Sequence, residues 1–499
     1  MNIKIRREKR ILNLLHKKSW NFWAKEREKR ALKIFHEAAI RVPAYKNFLK
    51  KNRINSEHIR TFKDFQKVPT TSKQNYLKHY PIESLPWDGT LKKPLVFTST
   101  SGSTGKPFYF PRGHRLDWEY SILAEFFLKN SSYKSGGPVL VIIGFGMGVW
   151  IGGLITYQAF EIAGNRGYPI SIITPGINKK EIFNALKNLS PHYKETIFIG
   201  YPPFLKDILD EAPDEGINLK KINFRVLSAA EAYTEKFREY IVKKGGIKNL
   251  YLDTLNIYGT ADIGAMAWET PTAILIRRLA MKDPHVFQSI FSKINKTPTL
   301  AQYNPLFITF EEKDGEIILT GNNTIPLIRY AVGDHGGITT FSEIIEKLKK
   351  HKIDFYKEAK AAGIENHITQ LPFVYVYERN DFSTTLYGLQ IYSETIREVL
   401  IDEPLDRFLT GKFSMATKFN NKQDQYLEIN LELRKNRLAN KRLEKLVLSK
   451  IMSNLELKNS EFKELHQYLG DRALPRLIFW PAEHALHFKL GVKQKWVKK

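Results

Sequence analysis

The sequence predicts an α/β protein with a large multi-layer N-terminal domain and a small α+β C-terminal domain. Three observations support this: the length of 499 residues, the alternation of short apolar runs with helical stretches between about 94 and 260, and a shorter strand–helix pattern after about 382. A chain of this length usually divides into two or three domains. We place the boundary between 378 and 379, which gives domains 1–378 and 379–499.

The composition limits the chemistry and indicates the partners. The chain has no cysteine, which excludes disulfides, a cysteine-ligated zinc and a thiol nucleophile. Its formal net charge of +26 would attract nucleotides, coenzyme A, acidic carrier proteins, nucleic acid or an anionic membrane, although solvated helix faces explain the same charge. No apolar run reaches the roughly 18 residues of a spanning helix, and the start lacks the apolar block of a secretory signal. We therefore expect a cytoplasmic protein.

The first 60 residues are predicted to be helical. Ile11, Leu14 and Leu15, and later Ile34, recur at helical spacing among charged residues, and Pro43 ends the run. A basic amphipathic helix of this kind either packs on its own domain or lies on a membrane surface, so peripheral membrane contact is an open alternative.

The central region predicts a sheet with ligand loops at the strand ends. Runs such as GPVLVIIG, TIFIGYP and FRVLSAA alternate with helical stretches such as KKEIFNALKNL. A further strand pair is expected around EEKDGEIILTG, and residues 340–370 are expected to be helical and strongly charged. The last segments, FSMATKF, YLEINLEL and RLEKLVLSKIM, predict the small α+β domain.

The sharpest local signal is TSTSGSTGKP, Thr98 to Pro107, which follows an apolar strand. Small residues let backbone N–H groups turn toward a phosphate, the hydroxyls add donors, and Lys106 adds positive charge. Pro107 stands where the common phosphate loop has a hydroxyl residue, so the motif differs from that loop. A flexible linker is the alternative. The predicted phosphate-binding residues are Thr98, Ser99, Ser101, Gly102, Ser103, Thr104, Gly105 and Lys106.

This segment resembles the phosphate loop of the adenylate-forming superfamily, which includes acyl-coenzyme A synthetases, luciferases and adenylation domains. Further segments resemble that family in the same order, and they are most similar to its phenylacetate–coenzyme A ligase branch, which includes capsule-biosynthesis members. They are GFGMGVWIGG (144–153), LSAAEAYTEKFREYI, LNIYGTADIGAMAWE (255–269), PLIRYAVGD (326–334) and YERNDFSTTLYGLQIY. VPAYKNFL and VPTTSKQNYL are also similar to this branch.

The resemblance implies a function. Such enzymes use ATP and Mg²⁺ to convert a carboxylic acid into acyl-AMP, and they then transfer the acyl group to coenzyme A or a pantetheinyl carrier protein while a small mobile C-terminal domain rotates. Two alternatives stay open. An amine or a sugar hydroxyl is the acceptor in the first, and the second is a degenerate nucleotide-binding member without turnover. Nucleic acid is an unlikely partner because no recognised binding module is present, and the sequence does not define the oligomeric state.

The resemblance also assigns nucleotide-binding residues. Asp334 would accept hydrogen bonds from the ribose hydroxyls, as a carboxylate is suited to do. Tyr258, with Gly259 and Thr260, would border the adenine, and the Ala230–Glu231 turn would lie beside them. Asp262 stands where the family has a glutamate that helps to hold magnesium, so its shorter side chain implies altered metal geometry.

The remaining assignments concern catalysis and domain movement. Lys493 in the C-terminal tail is the expected catalytic lysine, with Lys489 and Lys495 as alternatives, and it would act with Asp262 and Thr104. Arg379 would contact the nucleotide. Asp381 would be the hinge.

The acyl pocket is expected between the 144–153 segment and the turn after FRVLSA. Phe145, Trp150 and Gly153 are its predicted residues, and their apolar character favours an aromatic or other hydrophobic acid. The same residues would also suit a buried core.

Overall fold

The structure is a computed structural model that describes residues 2–99, 108–149, 151–291, 297–377, 383–400, 404–484, 487–488 and 497. Within them the α-helices are α1 (Asn2–Lys17), α2 (Trp20–Arg41), α3 (Pro43–Lys51), α4 (Phe62–Phe65), α5 (His114–Lys129), α6 (Ile151–Asn165), α7 (Lys179–Asn188), α8 (Pro202–Glu211), α9 (Glu235–Gly245), α10 (Pro271–Lys282), α11 (Pro284–Ile290), α12 (Phe341–Lys350), α13 (Phe355–Ala361), α14 (Ser393–Leu400), α15 (Lys441–Lys458) and α16 (Ser460–Leu469). Among the described residues, no helix combines the length and the apolar character that crossing a bilayer requires.

The strands of the described residues are β1 (Val96–Ser99), β2 (Tyr109–Arg112), β3 (Val139–Gly144), β4 (Ile170–Ile173), β5 (Glu195–Gly200), β6 (Phe224–Ala229), β7 (Thr254–Thr260), β8 (Gly264–Trp268), β9 (Thr299–Gln302), β10 (Ile308–Lys313), β11 (Glu316–Gly321), β12 (Leu327–Thr339), β13 (Phe373–Tyr377), β14 (Ser383–Leu386), β15 (Leu389–Tyr392), β16 (Leu409–Phe419), β17 (Gln425–Leu433) and β18 (Arg476–Trp480). Eleven of these strands form one mixed sheet in the order β10-β11-β12-β13-β9-β8-β7-β6-β5-β3-β4.

The large sheet has a parallel half and an antiparallel half. Strands β7, β6, β5, β3 and β4 pair in parallel, whereas the pairs from β7 to β10 are antiparallel. Every residue of β3 and β5 is buried, as expected for parallel strands covered on both faces. The predicted α/β architecture is therefore the one that the structure has.

Helices cover both faces of this sheet. Apolar residues of α1, α5 and α6 pack on one face of the parallel half, and those of α7, α8 and α9 pack on the other. Helices α2 and α3 cover the antiparallel half through a cluster that includes Ala31, Ile34 and Phe35. The apolar stripe predicted near the N-terminus therefore packs on the protein's own core.

The C-terminal part has a core of its own. The β14–β15 hairpin, the sheet β16-β17-β18 and helices α14 to α16 enclose a cluster of apolar residues that runs from Leu386 to Val497. Residues 378–382, where we predicted the domain boundary, lie outside the described residues. The division at 378/379 stays a prediction.

Ion pairs connect α8 to the C-terminal part. The Lys206 ammonium lies 2.9 Å from the Asp424 carboxylate, and the Arg472 guanidinium lies 2.8 Å from Asp207. The Lys179 ammonium lies 3.6 Å from Asp207. We call these five residues the bridging ion-pair cluster. It holds the C-terminal part over the end of the parallel strands.

Candidate active site

The carboxyl ends of four parallel strands meet at one cavity. Phe145 follows β3, Tyr201 follows β5, Glu231 lies just after β6 and Asp262 lies just after β7, and all four line a cavity of about 1100 Å³. Parallel strands direct their carboxyl ends to the same edge of a sheet, where open α/β sheets bind their ligands. The cavity is therefore the candidate site.

A hydrogen-bonded pair lies on the wall of the cavity. The Tyr258 hydroxyl donates to Oδ2 of Asp334 at 2.8 Å, although 76 residues separate them. The structure thus brings together two residues that the sequence assigned to the same nucleotide. Gly259 is required by packing, because a Cβ atom there would lie 2.6 Å from the Gly264 carbonyl oxygen. Gly259 also lines the cavity, and its predicted place beside the adenine stays a prediction.

Two features after β6 and at the end of β7 are unusual. Ala230 has a φ of 77°, a left-handed conformation that costs a residue with a Cβ on the order of 1 kcal/mol. The Thr260 hydroxyl is buried without a hydrogen-bond partner among the described residues. Both residues line the cavity. Strained backbone and unpaired buried hydroxyls are uncommon and point to a ligand site.

The Glu231 side chain connects the turn after β6 to the C-terminal part. Its carboxylate accepts a hydrogen bond from the Gly388 backbone N–H and another, at 3.3 Å, from the Gln425 amide. The Glu231 carbonyl accepts from the Asn256 side chain at 3.0 Å. Glu231, predicted beside the nucleotide, therefore also forms part of the contact with the C-terminal part.

Asp262, predicted as a magnesium ligand, is buried and already makes two contacts. The Lys73 ammonium lies 3.0 Å from Oδ1, and the Tyr330 hydroxyl donates to Oδ2 at 2.6 Å. The sequence did not assign either partner. Lys73 lies in VPTTSKQNYL and Tyr330 in PLIRYAVGD, so the family-like segments were the available signal.

The Asp262 carboxylate suits magnesium as a single protein ligand. Magnesium is commonly held by one or two carboxylates together with substrate phosphates, and no group of three potential metal-ligating side chains occurs within the described residues. The Lys73 ammonium is itself a cation on this carboxylate, so it competes with a metal ion for the same oxygen. The metal assignment stays a prediction.

Arg112 is a further residue that the sequence did not single out. Its buried guanidinium donates to the Thr98 hydroxyl oxygen at 2.8 Å and to the Ala261 carbonyl. Burial lowers the pKa of Arg112 to about 9. Arg112 therefore ties the strand before the predicted phosphate loop to the segment that carries Asp262.

Of the predicted phosphate-binding segment, the structure describes Thr98 and Ser99. The side chain of Thr98 contacts Arg112, and Ser99 lines the cavity. The other predicted site residues lie outside the described residues and stay predictions: Ser101, Gly102, Ser103, Thr104, Gly105, Lys106, Trp150, Arg379, Asp381 and Lys493.

The predicted acyl pocket is placed in part. Phe145 lines the cavity and makes an edge contact with Tyr201, with ring centroids 4.9 Å apart. Gly153 does not line it, although the preceding Gly152 does. A Cβ atom at Gly153 would lie 2.4 Å from the Gly146 carbonyl oxygen, so this glycine lets α6 pack closely on the segment after β3. The assignment of Gly153 to the acyl pocket stays a prediction.

Comparisons with known proteins agree with this geometry. The chain is 22% identical over 385 residues to a phenylacetate–coenzyme A ligase of Thermus thermophilus, which covers 76% of this chain and 74% of that protein. It is 22% identical over 300 residues to the Escherichia coli phenylacetate–coenzyme A ligase, covering 59% of this chain and 62% of that protein. No family model matches.

A solved structure extends the likeness to the whole chain. The structure of 2-hydroxyisobutyryl-CoA ligase with 2-HIB-AMP and CoA in the thioesterification state superposes with a TM-score of 0.61 at 16% identity, over 99% of this chain and 89% of that one. The chain is thus similar in sequence to two phenylacetate–coenzyme A ligases and in fold to this coenzyme A ligase. The sequence prediction of this family and of its fold class is confirmed.

The similarity to coenzyme A ligases gives the cavity a consistent interpretation. An enzyme that joins a carboxylic acid to an acceptor through a nucleotide must hold all three within reach of one another. The described cavity extends from Lys73 and Asp262, past Asp334, to apolar residues beside Phe145 and to Gly388 of the C-terminal part. It therefore has a charged end, an apolar end and a wall that the C-terminal part supplies.

Proposed function

We propose that this protein uses ATP to activate a carboxylic acid as acyl-AMP and then transfers the acyl group to the thiol of coenzyme A. The observation that carries the proposal is the single cavity, which joins the Tyr258–Asp334 pair, the Asp262 carboxylate and the apolar residues around Phe145. The proposal includes an aromatic or hydrophobic acid and a location in the cytoplasm. A pantetheinyl carrier protein is the alternative thiol.

In the first step, a carboxylate oxygen of the acid attacks the α-phosphorus of ATP. The bond from that phosphorus to the bridging oxygen breaks, and pyrophosphate leaves. Asp334 holds the ribose hydroxyls, Tyr258 and Arg379 contact the nucleotide, and residues 98–106 hold the phosphates. Magnesium on Asp262 would neutralise part of the triphosphate charge. Lys493 neutralises the charge that develops at the α-phosphate.

In the second step, the thiol loses its proton to solvent and its sulfur attacks the acyl carbon. The bond from that carbon to the AMP oxygen breaks, so a thioester and AMP form. The C-terminal part turns about Asp381 between the steps, and Gly388 borders the path of the thiol. Because the chain contains no cysteine, no enzyme thiol can carry the acyl group between the steps.

Pyrophosphate release tests the first step. The parent protein is assayed with Mg-ATP and a panel of aryl, fatty and hydroxy acids, beside Asp334→Ala, Lys493→Ala and the control Asp214→Ala. Asp214 is an exposed residue in the turn after α8. Loss of a charged hydrogen-bond partner of the ribose predicts at least about a 100-fold fall in kcat/KM for Asp334→Ala, and the control stays near the parent value.

The outcomes separate the alternatives. Acid-dependent release that is lost in Asp334→Ala and Lys493→Ala supports adenylation by the assigned residues. ATP binding without release for any acid contradicts the proposal and favours the non-catalytic nucleotide-binding alternative. An acceptor assay then offers coenzyme A, a pantetheinyl carrier, amines and sugars together with the preferred acid. A thioester product identifies the protein as an acid–thiol ligase. An amide or an ester product identifies the alternative in which an amine or a sugar hydroxyl is the acceptor.

A further inference from the structure

Two hydroxyl groups face each other at the apolar end of the cavity. Tyr120 lies on α5 and Thr156 lies on α6, and their side-chain oxygens are 3.2 Å apart. Both residues line the cavity, yet only 4% of Tyr120 and 1% of Thr156 is exposed. We call Tyr120 and Thr156 the hydroxyl pair. Its burial means that bulk water contributes little to satisfying its hydrogen bonds.

The immediate surroundings of the hydroxyl pair are apolar. Ile155 precedes Thr156 on α6 and lines the cavity, as do Ile151 and the neighbouring Ala265 of β8. Gly264 closes this end tightly, because a Cβ atom there would lie 3.4 Å from Ile155. The hydroxyl pair is therefore a neutral polar spot on an apolar wall.

The hydrogen bonds of this pair leave capacity for a ligand. Two hydroxyls carry two hydrogens, and the one bond between them uses a single hydrogen. Among the described residues, the structure shows no other side-chain hydrogen bond for either group. Burial raises the pKa of Tyr120 above its ordinary value, so the phenol stays protonated and remains a donor. One hydrogen and several lone pairs of the hydroxyl pair are thus not used by side-chain hydrogen bonds among the described residues.

We infer that the hydroxyl pair selects an acid whose hydrophobic tail carries a neutral oxygen, a hydroxyl or a carbonyl, at its far end. The inference rests on the proposed function and specifies its substrate class. A neutral oxygen on the tail would add a hydrogen bond to the pair, which a purely apolar tail does not offer. A second carboxylate is disfavoured because the neutral hydroxyls do not balance its charge.

Matched pairs of acids test this inference. Each pair has the same skeleton with and without a distal hydroxyl, such as hydroxyphenyl- and phenyl-substituted alkanoic acids or ω-hydroxy and unsubstituted fatty acids. Pyrophosphate release gives kcat/KM for each. The parent is expected to prefer the hydroxylated member of the best pair by at least about 10-fold, because a site built to bond a hydroxyl rejects the analogue that lacks it.

Variants assign the preference to the hydroxyl pair. Tyr120→Phe combined with Thr156→Val removes both hydroxyls with little change in volume, and this double variant is expected to prefer the unsubstituted acid. Tyr157→Phe is the matched control, since Tyr157 lies on the same helix, is partly buried and does not line the cavity. The control is expected to keep the parent preference. If the double variant does not fold, each single variant is expected to reduce the preference by at least about threefold.

Each outcome of these assays decides a different point. Equal kcat/KM values for both members of every pair in the parent, or a hydroxyl preference that survives in the double variant, would overturn the inference while the proposed function stands. No release with any acid would overturn both. A preference that the double variant reverses and the control retains would establish the substrate class.

Discussion

Two networks of charged residues differ in solvent exposure and in what they connect. The first, which we call the buried arginine network, consists of Arg238, Arg277, Glu235 and Glu269, with at most 8% of any side chain exposed. The second is the bridging ion-pair cluster, in which Lys206 and Asp207 are buried, whereas 28% of the Asp424 and 39% of the Arg472 side chain is exposed. The same kinds of residue therefore occur in two different environments.

The buried arginine network joins α9 and α10 to β7 and to the residue that follows β8. Glu269 accepts from Arg238 on α9 and from Arg277 on α10, each at 2.6 Å. Arg238 also donates to the Thr254 hydroxyl at the start of β7. A buried pair is costly to break because the remaining charge lacks compensation. This network therefore holds α9 and α10 against the amino end of β7, the strand whose carboxyl end borders the cavity.

The bridging ion-pair cluster joins two parts that we propose to move apart. Each pair that crosses to the C-terminal part has one partly exposed member, so water reaches it and breaking it is expected to cost less than breaking a fully buried pair. We therefore expect solvation, rather than the type of residue, to separate a fixed connection from a reversible one.

The largest effect is expected from a substitution that breaks the buried arginine network. Glu269→Ala leaves two buried guanidinium groups with Glu235 as their shared carboxylate, so we expect the free energy of unfolding to fall by about 3–5 kcal/mol. Glu215→Ala removes an exposed partner of Lys187 and should cost less than about 1 kcal/mol. Chemical denaturation measures both. Equal losses in the two variants would contradict the comparison.

An intermediate effect concerns pH. Glu461 lies where Tyr201 and Leu389 of the two parts meet, and burial, with a smaller contribution from Glu464, raises its pKa from 4.5 to about 8. Because the folded state favours the protonated form, stability from this group is fully present below pH 4.5 and is lost as the pH rises through about 8. The Tm should therefore fall less between pH 5 and 9 in Glu461→Gln than in the parent.

Two results bear on this pH prediction. Glu57→Gln, at an exposed position in the N-terminal region, should reproduce the parent profile and serves as the control. An identical fall of Tm in Glu461→Gln and the parent would show that the burial of Glu461 does not contribute to the pH dependence.

The smallest expected effect is on the bridging ion-pair cluster. Asp424→Asn weakens the contact with Lys206, which keeps Asp210 as a partner at 2.6 Å. We expect a change in unfolding free energy within about 1 kcal/mol, measured by denaturation beside Asp214→Asn. If the free energy of unfolding fell by more than about 3 kcal/mol, the bridging ion-pair cluster would behave like the buried arginine network, which would contradict the comparison.

Much of the fold could be predicted because its signals are local. The apolar runs before Gly144, Gly200 and Ala229 are strands that end at the cavity. Helix α10 was not predicted, because the only elements expected in this part of the chain were the strand pair around EEKDGEIILTG. Nine of its residues are buried, so it lacks the polar face that makes a helix recognisable from periodicity.

The site was predictable where a family-like motif carried it. Tyr258 and Asp334 were named from their motifs, and the structure places them in contact. The pairing of Lys73 with Asp262 joins positions that are 189 residues apart, and no local sequence pattern predicts such a contact. The close packing of Gly153 on the Gly146 carbonyl could not be predicted, because a glycine that permits close packing looks the same in sequence as one that borders a ligand.

The absence of a single methyl group at Gly388 permits the present arrangement of the two parts. Gly388 has a φ of 82°, and a Cβ atom there would lie 2.4 Å from the Tyr201 ring, while its N–H contacts Glu231. The methyl group of an alanine at this position would clash with the Tyr201 ring and is expected to push the two parts away from each other. One position thus offers a way to hold the protein apart and observe the first half of its cycle without the second.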